Sequence, residues 1–178
     1  MNTDSKLMEM LTGYAAAHQH PFNVFMHMVG IPTIMFGALI PMTWLTIDVN
    51  GFAFSLAYVV MAGFFLFYLT LDLLFAVVFL IMAVLIAMLA TQVGQAPIAV
   101  SGTIAAVAFF GGYLGQFVGH YVERSMPVLV KHPIQANLAA PFFTVVELFK
   151  ITGLRPQLFD AVQAQIAQRR DEEAAAGA

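Results

Sequence analysis

Between Leu11 and Val122 only two residues, Asp48 and Asp72, carry a charge. The other charged side chains crowd into the two ends of the chain, and they make up only 10% of its residues against 61% hydrophobic residues. A water-soluble domain carries charge on roughly 25% of its residues, so this composition excludes a water-soluble monomer. The pattern predicts a membrane-embedded protein whose N-terminal and C-terminal segments are exposed to water.

The long uncharged stretch divides into four predicted spans. Residues 51–91 are too long for a single crossing of a hydrocarbon core of ~30 Å at about 1.5 Å per residue, so they must turn back near Asp72. We therefore predict an all-α polytopic membrane protein, a single domain over 1–178, with transmembrane helices at 22–46, 51–69, 72–91 and 98–122. The glycines of the last span predict close helix packing.

The segments outside these spans have a different character. Leu7, Leu11, Tyr14 and His18 recur at helical spacing, which predicts an N-terminal amphipathic helix at the membrane interface. Beyond the fourth span the chain is interrupted by prolines and again carries charge. Residues 123–178 are therefore predicted to form a re-entrant or interfacial helical segment and a tail on the cytoplasmic side.

The basic residues predict the orientation in the membrane. All seven lie outside the four spans: Lys6, Arg124, Lys131, Lys150, Arg155, Arg169 and Arg170. An even number of crossings puts both termini on one side, and the excess of positive charge predicts that this side is cytoplasmic. The protein is expected in the inner membrane of a bacterium or the endoplasmic reticulum of a eukaryote. All five histidines then lie near one membrane face: His18, His20, His27, His120 and His132.

Composition also excludes two kinds of site. A net charge of −3 offers no basic surface for nucleic acid. The absence of cysteine excludes disulfides, thiolate metal sites and iron–sulfur clusters, so any metal must be held by histidine, carboxylate or water.

Two polar stripes on apolar helices predict a metal site. Asn23 and His27 lie on one face of the first span, and Gln116, His120 and Glu123 lie on one face of the fourth. If these faces meet, three imidazoles and one carboxylate converge, with Asn23 and Gln116 as hydrogen-bond partners. Polar groups at membrane depth are costly, which favours a functional interpretation.

The predicted ligands, which would also form the catalytic centre, are His18, His27 and His120. Glu123 is either a fourth ligand or neighbour of the metal, or the partner of Lys131 in a salt bridge. Imidazole with carboxylate and an open position suits non-haem Fe(II), and Zn, Mn or Ni also fit the ligand types. His20 or His132 taken alone is typical of an interfacial residue.

Three stretches, in this order, carry a family resemblance: Tyr14-x3-His18-x4-Asn23-x3-His27-x2-Gly30-Ile31-Pro32, Gln116-Phe117-x-Gly119-His120-x2-Glu123-x3-Pro127, and Ala140-Pro141-Phe142-Phe143-x3-Glu147. The chain resembles the 2-hydroxy fatty acid dioxygenase family of small membrane proteins, whose characterised fungal member acts in phytosphingosine breakdown. The likeness extends from about Leu11 to Phe149.

The resemblance implies an Fe(II)-dependent α-oxidation, in which a lipid-derived 2-hydroxy fatty acid and O2 give a fatty acid one carbon shorter. His18, His27 and His120 fall on the histidine positions of the family, so the metal role is carried to those three. Residues expected to contact the substrate or support the ligands are Tyr14, Asn23, Gln116, Arg124, Lys131 and His132.

Two other classes of function compete with the dioxygenase. Histidines near the ends of a four-helix membrane bundle can ligate haem in an electron-transfer protein, which would show a Soret band. A lipid-binding or transport protein would hold no metal. The sequence leaves homo-oligomerisation open.

Overall fold

The structure, a computed structural model, describes residues 6–16 and 18–176. Eight helices and one two-stranded sheet form this part of the chain. In order they are α1 (Lys6–Ala16), α2 (Pro21–Thr43), β1 (Thr46–Val49), β2 (Phe52–Ser55), α3 (Leu56–Leu69), α4 (Leu73–Gly94), α5 (Ile98–Glu123), α6 (Val128–Lys131), α7 (Pro133–Ile151) and α8 (Pro156–Ala176). The predicted all-α class is confirmed, because each strand has only four residues.

Four helices of the described chain are long and apolar enough to cross a membrane: α2, α4, α5 and α7. The predicted number of four is therefore confirmed, and α2, α4 and α5 coincide with three of the predicted spans. Their length and composition fit an integral membrane protein.

The structure differs from the prediction in the second predicted span. Residues 51–69 contain β2 and the 14-residue α3, whose length of about 21 Å falls short of a ~30 Å hydrocarbon core. Mean hydropathy cannot separate an apolar strand from an apolar helix, which is why the predicted second span was too long. The 19-residue α7 lies in the part predicted to be re-entrant or interfacial, and residues at both of its ends contact the turn between α3 and α4: Tyr68 donates to the carbonyl of Leu138, and Arg155 donates to Asp72. This arrangement agrees with the predicted re-entrant or interfacial segment.

A tight β-hairpin joins α2 to α3. Its loop is Asn50 and Gly51, both with positive φ, at 54° and 84°, and Val49 pairs with Phe52 across it. Asn-Gly is the dipeptide that favours such a two-residue loop. Asp48 accepts a hydrogen bond of 3.1 Å from the N–H of Gly51 and so stabilises the turn.

Helices α2 and α5 pack antiparallel at backbone distance. A Cβ atom added at Gly112 would lie 2.9 Å from the carbonyl oxygen of Gly30, and one added at Gly37 would lie 2.6 Å from the backbone nitrogen of Phe109. One added at Gly119 would overlap the side chain at the start of α2. The predicted close packing of the last span is thus confirmed at two of its glycines, and it sets the start of α2 beside the end of α5.

The turn between α3 and α4 anchors the C-terminal segment at this same end. Asp72 caps α4 by accepting hydrogen bonds from two N–H groups of its first turn, at 2.9 and 3.1 Å. The guanidinium of Arg155 donates to the other Asp72 oxygen at 2.6 Å. Since Gly94, at the end of α4, lies against Thr43 at the end of α2, Asp72 lies level with the start of α2.

Helices α1 and α8 pack together beside α7. α1 buries Leu11 and Tyr14, which confirms the predicted amphipathic helix, and Thr12 donates a 2.9 Å hydrogen bond to Gln165 of α8. The buried face of α8 consists of Leu158, Val162 and Ile166. The N-terminal and C-terminal helices therefore form one layer at the end of the bundle where α2 begins.

Candidate metal centre

His18, His27 and His120 converge in the interior, with exposed fractions of 2%, 2% and 4%. One ring nitrogen from each lies within 4.8 Å of the other two, and the Nε2 atoms of His18 and His27 are 3.0 Å apart. The ring centroid of His120 is 4.9 Å from each of the other two centroids. This is the only such cluster of potential ligands among the residues that the structure describes.

Each histidine comes from a different element. His18 follows α1, where its ring stacks on Tyr14 with a centroid distance of 4.1 Å. His27 lies in the second turn of α2, and His120 lies in the last turn of α5. The glycine contacts between α2 and α5 hold His27 and His120 at one level. His18, which follows α1, completes the cluster.

The Nδ1 atoms of two rings are held by backbone carbonyls. His18 Nδ1 donates to the carbonyl of Tyr14 at 2.6 Å, and His27 Nδ1 donates to the carbonyl of Asn23 at 2.9 Å. Because a carbonyl oxygen can only accept, each Nδ1 carries the proton and each Nε2 carries a lone pair. Two lone pairs 3.0 Å apart repel each other unless a cation or proton lies between them, so the arrangement fits a metal ion.

His120 is oriented by a different kind of partner. Its Nδ1 atom lies 2.9 Å from the hydroxyl of Ser125 and 3.4 Å from the side-chain nitrogen of Asn23. Ser125 follows the left-handed residue Arg124, with φ of 57°, which ends α5 and folds the chain back over the ring. The end of α5 therefore supplies both the ligand and the group that orients it.

Glu123 joins the end of α5 to the segment before α2. One of its oxygens accepts hydrogen bonds from the N–H groups of Gln19, at 2.7 Å, and His20, at 3.1 Å. The other accepts a short hydrogen bond from the side chain of Asn23. The three-histidine cluster does not include Glu123, and among the described residues this carboxylate forms no ion pair with Lys131.

Burial keeps His18 in the form that binds metal. Its pKa is lowered to about 3, first by burial and then by the neighbouring His27. The ring is consequently neutral at ordinary pH, and only a neutral imidazole offers a lone pair to a metal. Burial likewise raises the pKa of Tyr14, with a contribution from nearby Tyr113.

A cavity of about 230 Å³ opens directly beneath the histidines and is bordered by all three. Tyr14 and Gln116, both predicted to lie near the site, border it, as do two residues that the sequence did not single out, Tyr113 and Asn137. The hydroxyl of Tyr113 donates to Asn137 at 2.8 Å. The helical spacing of Tyr113, two turns before His120, is the signal that could have identified it.

Three predicted site residues lie elsewhere. Arg124, Lys131 and His132 are exposed, and none borders the cavity. Phe143, which belongs to the third stretch of the family resemblance, packs on Tyr14 at a ring distance of 4.4 Å and on His18 at 5.3 Å. Thus α7 supports the site through an aromatic side chain, whereas Arg124 and Lys131 are exposed and outside the cavity.

Comparison with known proteins agrees with this arrangement. Residues 5–151 match the protein family described as 2-hydroxy-palmitic acid dioxygenase Mpo1-like. The chain is also similar to the 2-hydroxy-palmitic acid dioxygenase MPO1 of Saccharomyces cerevisiae, with 30% identity over 154 residues, covering 85% of this chain and 84% of the yeast protein. No solved structure gives a significant match. The residues that match the family include all three histidines and every residue that borders the cavity. The chain belongs to the Mpo1-like family.

Proposed function

We propose that this protein is an Fe(II)-dependent dioxygenase that shortens 2-hydroxy fatty acids by one carbon. The observation that carries the proposal is the three-histidine cluster, with its paired Nε2 atoms, at the head of an apolar cavity inside a membrane bundle. The names of the family and of the yeast relative support the same reaction.

The proposed reaction balances with O2 as the oxidant. The bond between the carboxyl carbon and C2 breaks, the carboxyl carbon leaves as carbon dioxide, and C2 becomes the new carboxyl group. O2 accepts the electrons of both oxidised carbons, and water is formed. No other reductant or oxidant is needed.

Each part of the site has a role in this proposal. His18, His27 and His120 hold the metal, and bound Fe(II) supplies the redox chemistry by which O2 reacts. The carbonyls of Tyr14 and Asn23 keep the two Nδ1 protons in place, so the Nε2 lone pairs stay directed at the metal. The hydroxyl of Tyr14 and the amide of Gln116 border the cavity and can bind the polar head of a substrate.

The geometry favours a non-haem metal over haem. Two axial ligands of a haem lie on opposite faces of the ring, so their nitrogens are ~4 Å apart, the sum of two metal–nitrogen bonds of about 2 Å. His18 and His27 are closer than that, at 3.0 Å, and His120 joins them from the side. We therefore expect purified protein to show no Soret band.

The end of the bundle that holds the histidines is proposed to face the cytoplasm, with both termini. Lys6 lies in α1, and the other six basic residues follow α5 in the chain. This excess of positive charge at the histidine end favours a cytoplasmic location. Because the chain has no cysteine, single cysteines at Asn50 and Gln95 should react with an impermeant reagent added outside, and one at Gln135 should not. Labelling in the reverse pattern would contradict the orientation.

The reaction is tested by metal analysis combined with O2 consumption on 2-hydroxy fatty acids. We expect wild-type protein to bind iron and form the shortened acid, and His27→Ala and His120→Ala to lose both properties. His132→Ala is the matched control, because His132 is exposed and outside the cavity. Iron retained by both cluster variants would refute the metal site. Iron bound without turnover of any 2-hydroxy acid would refute the reaction.

A further inference from the structure

The cavity follows three helical stripes that descend from the metal centre. On α2 its walls include residues that recur on one face below the ligand: His27, Ile31, Ile34, Ala38 and Met42. On α5 the corresponding face carries Phe109, Tyr113 and Phe117 below His120. α3 contributes Val60, Met61 and Phe64. The residues that hold the metal therefore lie at the head of the same faces that form the cavity.

The cavity is a groove on α2. Both α3 and α5 pack against α2, and side chains of all three helices border the space between them. At the upper end, Ala140 and Pro141 of α7 close it over the histidines. The groove is therefore lined by α2, α3 and α5 along its length, with the metal centre at one end and Met42 at the other.

The groove is long enough for a complete acyl tail. From His27 to Met42 it follows fifteen residues of α2, which correspond to about 22 Å along the helix axis. One leaflet of a bilayer is only ~15 Å deep, half of the ~30 Å hydrocarbon core. An acyl chain that normally occupies one leaflet thus fits along α2.

The polarity of the walls fixes which way such a chain would lie. Below Tyr113 and Gln116 every residue that borders the groove is apolar. A carboxylate there would be buried without a hydrogen-bond partner, which is costly, whereas a hydrocarbon tail loses nothing. The polar head of a ligand must therefore lie beside the histidines and its tail toward Met42.

We propose that this groove binds the hydrocarbon tail of the 2-hydroxy acid, and that Ala38 sets the longest tail that is accepted. This inference rests on the proposed function and adds to it the determinant of chain length. Binding along these helix faces distinguishes it from a reaction in which the tail contacts only the membrane lipids.

Ala38 is the position where the groove is easiest to obstruct. It is the only small side chain on the α2 wall, between larger neighbours such as Met35, Leu39 and Met42. It lies eleven residues beyond His27, about 16 Å along the axis. Because helical side chains lean toward the N-terminus of their helix, a phenyl ring at this position would fill the groove at the level of Ala38 and the turn before it. About two turns of α2 then still separate it from His27, so the space beside the histidines is left unchanged.

The test compares Ala38→Phe with Ala106→Phe across 2-hydroxy acids of short, medium and long chain. Ala106 is exposed on α5 and does not border the groove, so the same substitution there controls for inserting a phenyl ring into a membrane helix. We expect Ala38→Phe to lower kcat/KM at least about tenfold for long-chain acids and to keep it for short ones. Ala106→Phe should keep the wild-type profile. The rates are measured as O2 consumption and as shortened acid by mass spectrometry.

The reciprocal variant Met42→Ala keeps the test valid if Ala38→Phe fails to fold. Removing that side chain lengthens the groove, so the profile should shift toward longer acids. A wild-type profile in both variants would overturn the role of the groove, as would an equal loss at every chain length. Wild-type protein that turns over no 2-hydroxy acid of any length would instead refute the proposed function itself.

Photocrosslinking gives a second measurement that does not depend on turnover. The probe is a long-chain 2-hydroxy fatty acid with a diazirine at its terminal carbon. We expect peptides containing Met42 or Val60 to be labelled, and unlabelled 2-hydroxy acid to compete. Labelling only of lipid-facing residues such as Ala106, or competition by phospholipid but not by the hydroxy acid, would contradict the proposal.

Discussion

The two ends of the helical bundle differ in how far apart in the chain their hydrogen-bonded residues lie. At the end that holds the histidines, hydrogen bonds join residues far apart in the chain: Glu123 binds Gln19 across 104 positions. At the other end polar side chains bind nearby backbone, as Thr43 does three residues back and Ser101 within five. Hydrogen bonds across about a hundred positions gather at the first end, whereas the second has mostly local ones beside a long 3.5 Å pair between Thr91 and Tyr58.

This difference explains why only one end is suited to chemistry. Long-range hydrogen bonds allow polar groups to be buried with their partners, as with Asn23, whose side chain binds Glu123 and lies 3.4 Å from His120 Nδ1, and so fix several side chains around one point. Hydrogen bonds to nearby backbone satisfy each polar side chain within its own helix and do not bring side chains from different helices together. The hairpin at the far end, with its exposed Phe52 and Phe54, only reconnects the helices.

The largest expected effect comes from removing the acceptor that joins the distant segments. Glu123→Ala removes the acceptor of the exposed N–H groups of Gln19 and His20, which water can replace, and of one hydrogen bond of the buried Asn23 side chain, which costs about 1–3 kcal/mol. We expect a loss of stability of about that size and a metal affinity lowered about 10–100-fold. Thermal unfolding in detergent and metal titration measure both. Asp48→Ala, which removes one hydrogen bond at the far end, should change neither appreciably. Equal effects of the two substitutions would contradict the proposed difference between the two ends of the bundle.

A second prediction concerns the packing that brings the ligands together. Gly119→Ala forces a methyl group against Asn23, so we expect a loss of about 1–3 kcal/mol in stability together with weaker metal binding. Gly111→Ala lies on the same helix with no atom within 4 Å of the added Cβ, and it should cost nothing. Unfolding curves of the two variants test this. A similar loss in both would mean that helix flexibility, not contact with α2, matters at these positions.

A third substitution changes orientation without removing a ligand. Ser125→Ala removes the hydroxyl 2.9 Å from His120 Nδ1, and partners of metal-bound histidines typically contribute 10–100-fold in affinity. We expect an effect near the lower limit, about tenfold, because Asn23 also lies close to that nitrogen. Metal titration measures it, with Ser125→Thr, which keeps the hydroxyl, as the control. Equal affinities of all three proteins would show that the hydroxyl does not orient the ring.

The smallest effect is expected at the far end. Asn50 has a positive φ of 54°, which costs a residue such as Ala roughly 1–2 kcal/mol. Asn50→Ala should therefore lower stability slightly and leave metal affinity and turnover unchanged, whereas Asn50→Gly should preserve all three. A loss of metal in Asn50→Ala at constant helix content would show that the two ends are coupled.

Much of the fold follows from local pattern. Uncharged stretches of sufficient length identify α2, α4 and α5, and helical spacing identifies α1. The exception is α3, which differs from the prediction because mean hydropathy records how apolar a segment is and not what it packs against. The Asn50-Gly51 dipeptide was the available sign that a hairpin precedes α3.

The sequence likewise identified some residues of the candidate site correctly and others not. His18, His27 and His120 could be selected because each lies on a polar stripe at one end of an apolar helix. Arg124, Lys131 and His132 were selected by proximity in sequence, and the structure leaves them exposed. Left-handed backbone at Arg124 redirects the chain at that point, which spacing along a helix does not reveal.

The amino-acid sequence alone established that the chain lies in a membrane, that its histidines gather at one level, and which helix faces carry them. These properties depend on apolar length and on the period of the helix, both of which are local. The 3.0 Å approach of two Nε2 atoms, the attachment of Glu123 before α2, and the groove beneath the metal centre depend on how α2, α3, α5 and α7 pack. Such distances are set by side-chain volumes and glycine contacts between segments remote in the chain, so they emerge only when the whole bundle is assembled.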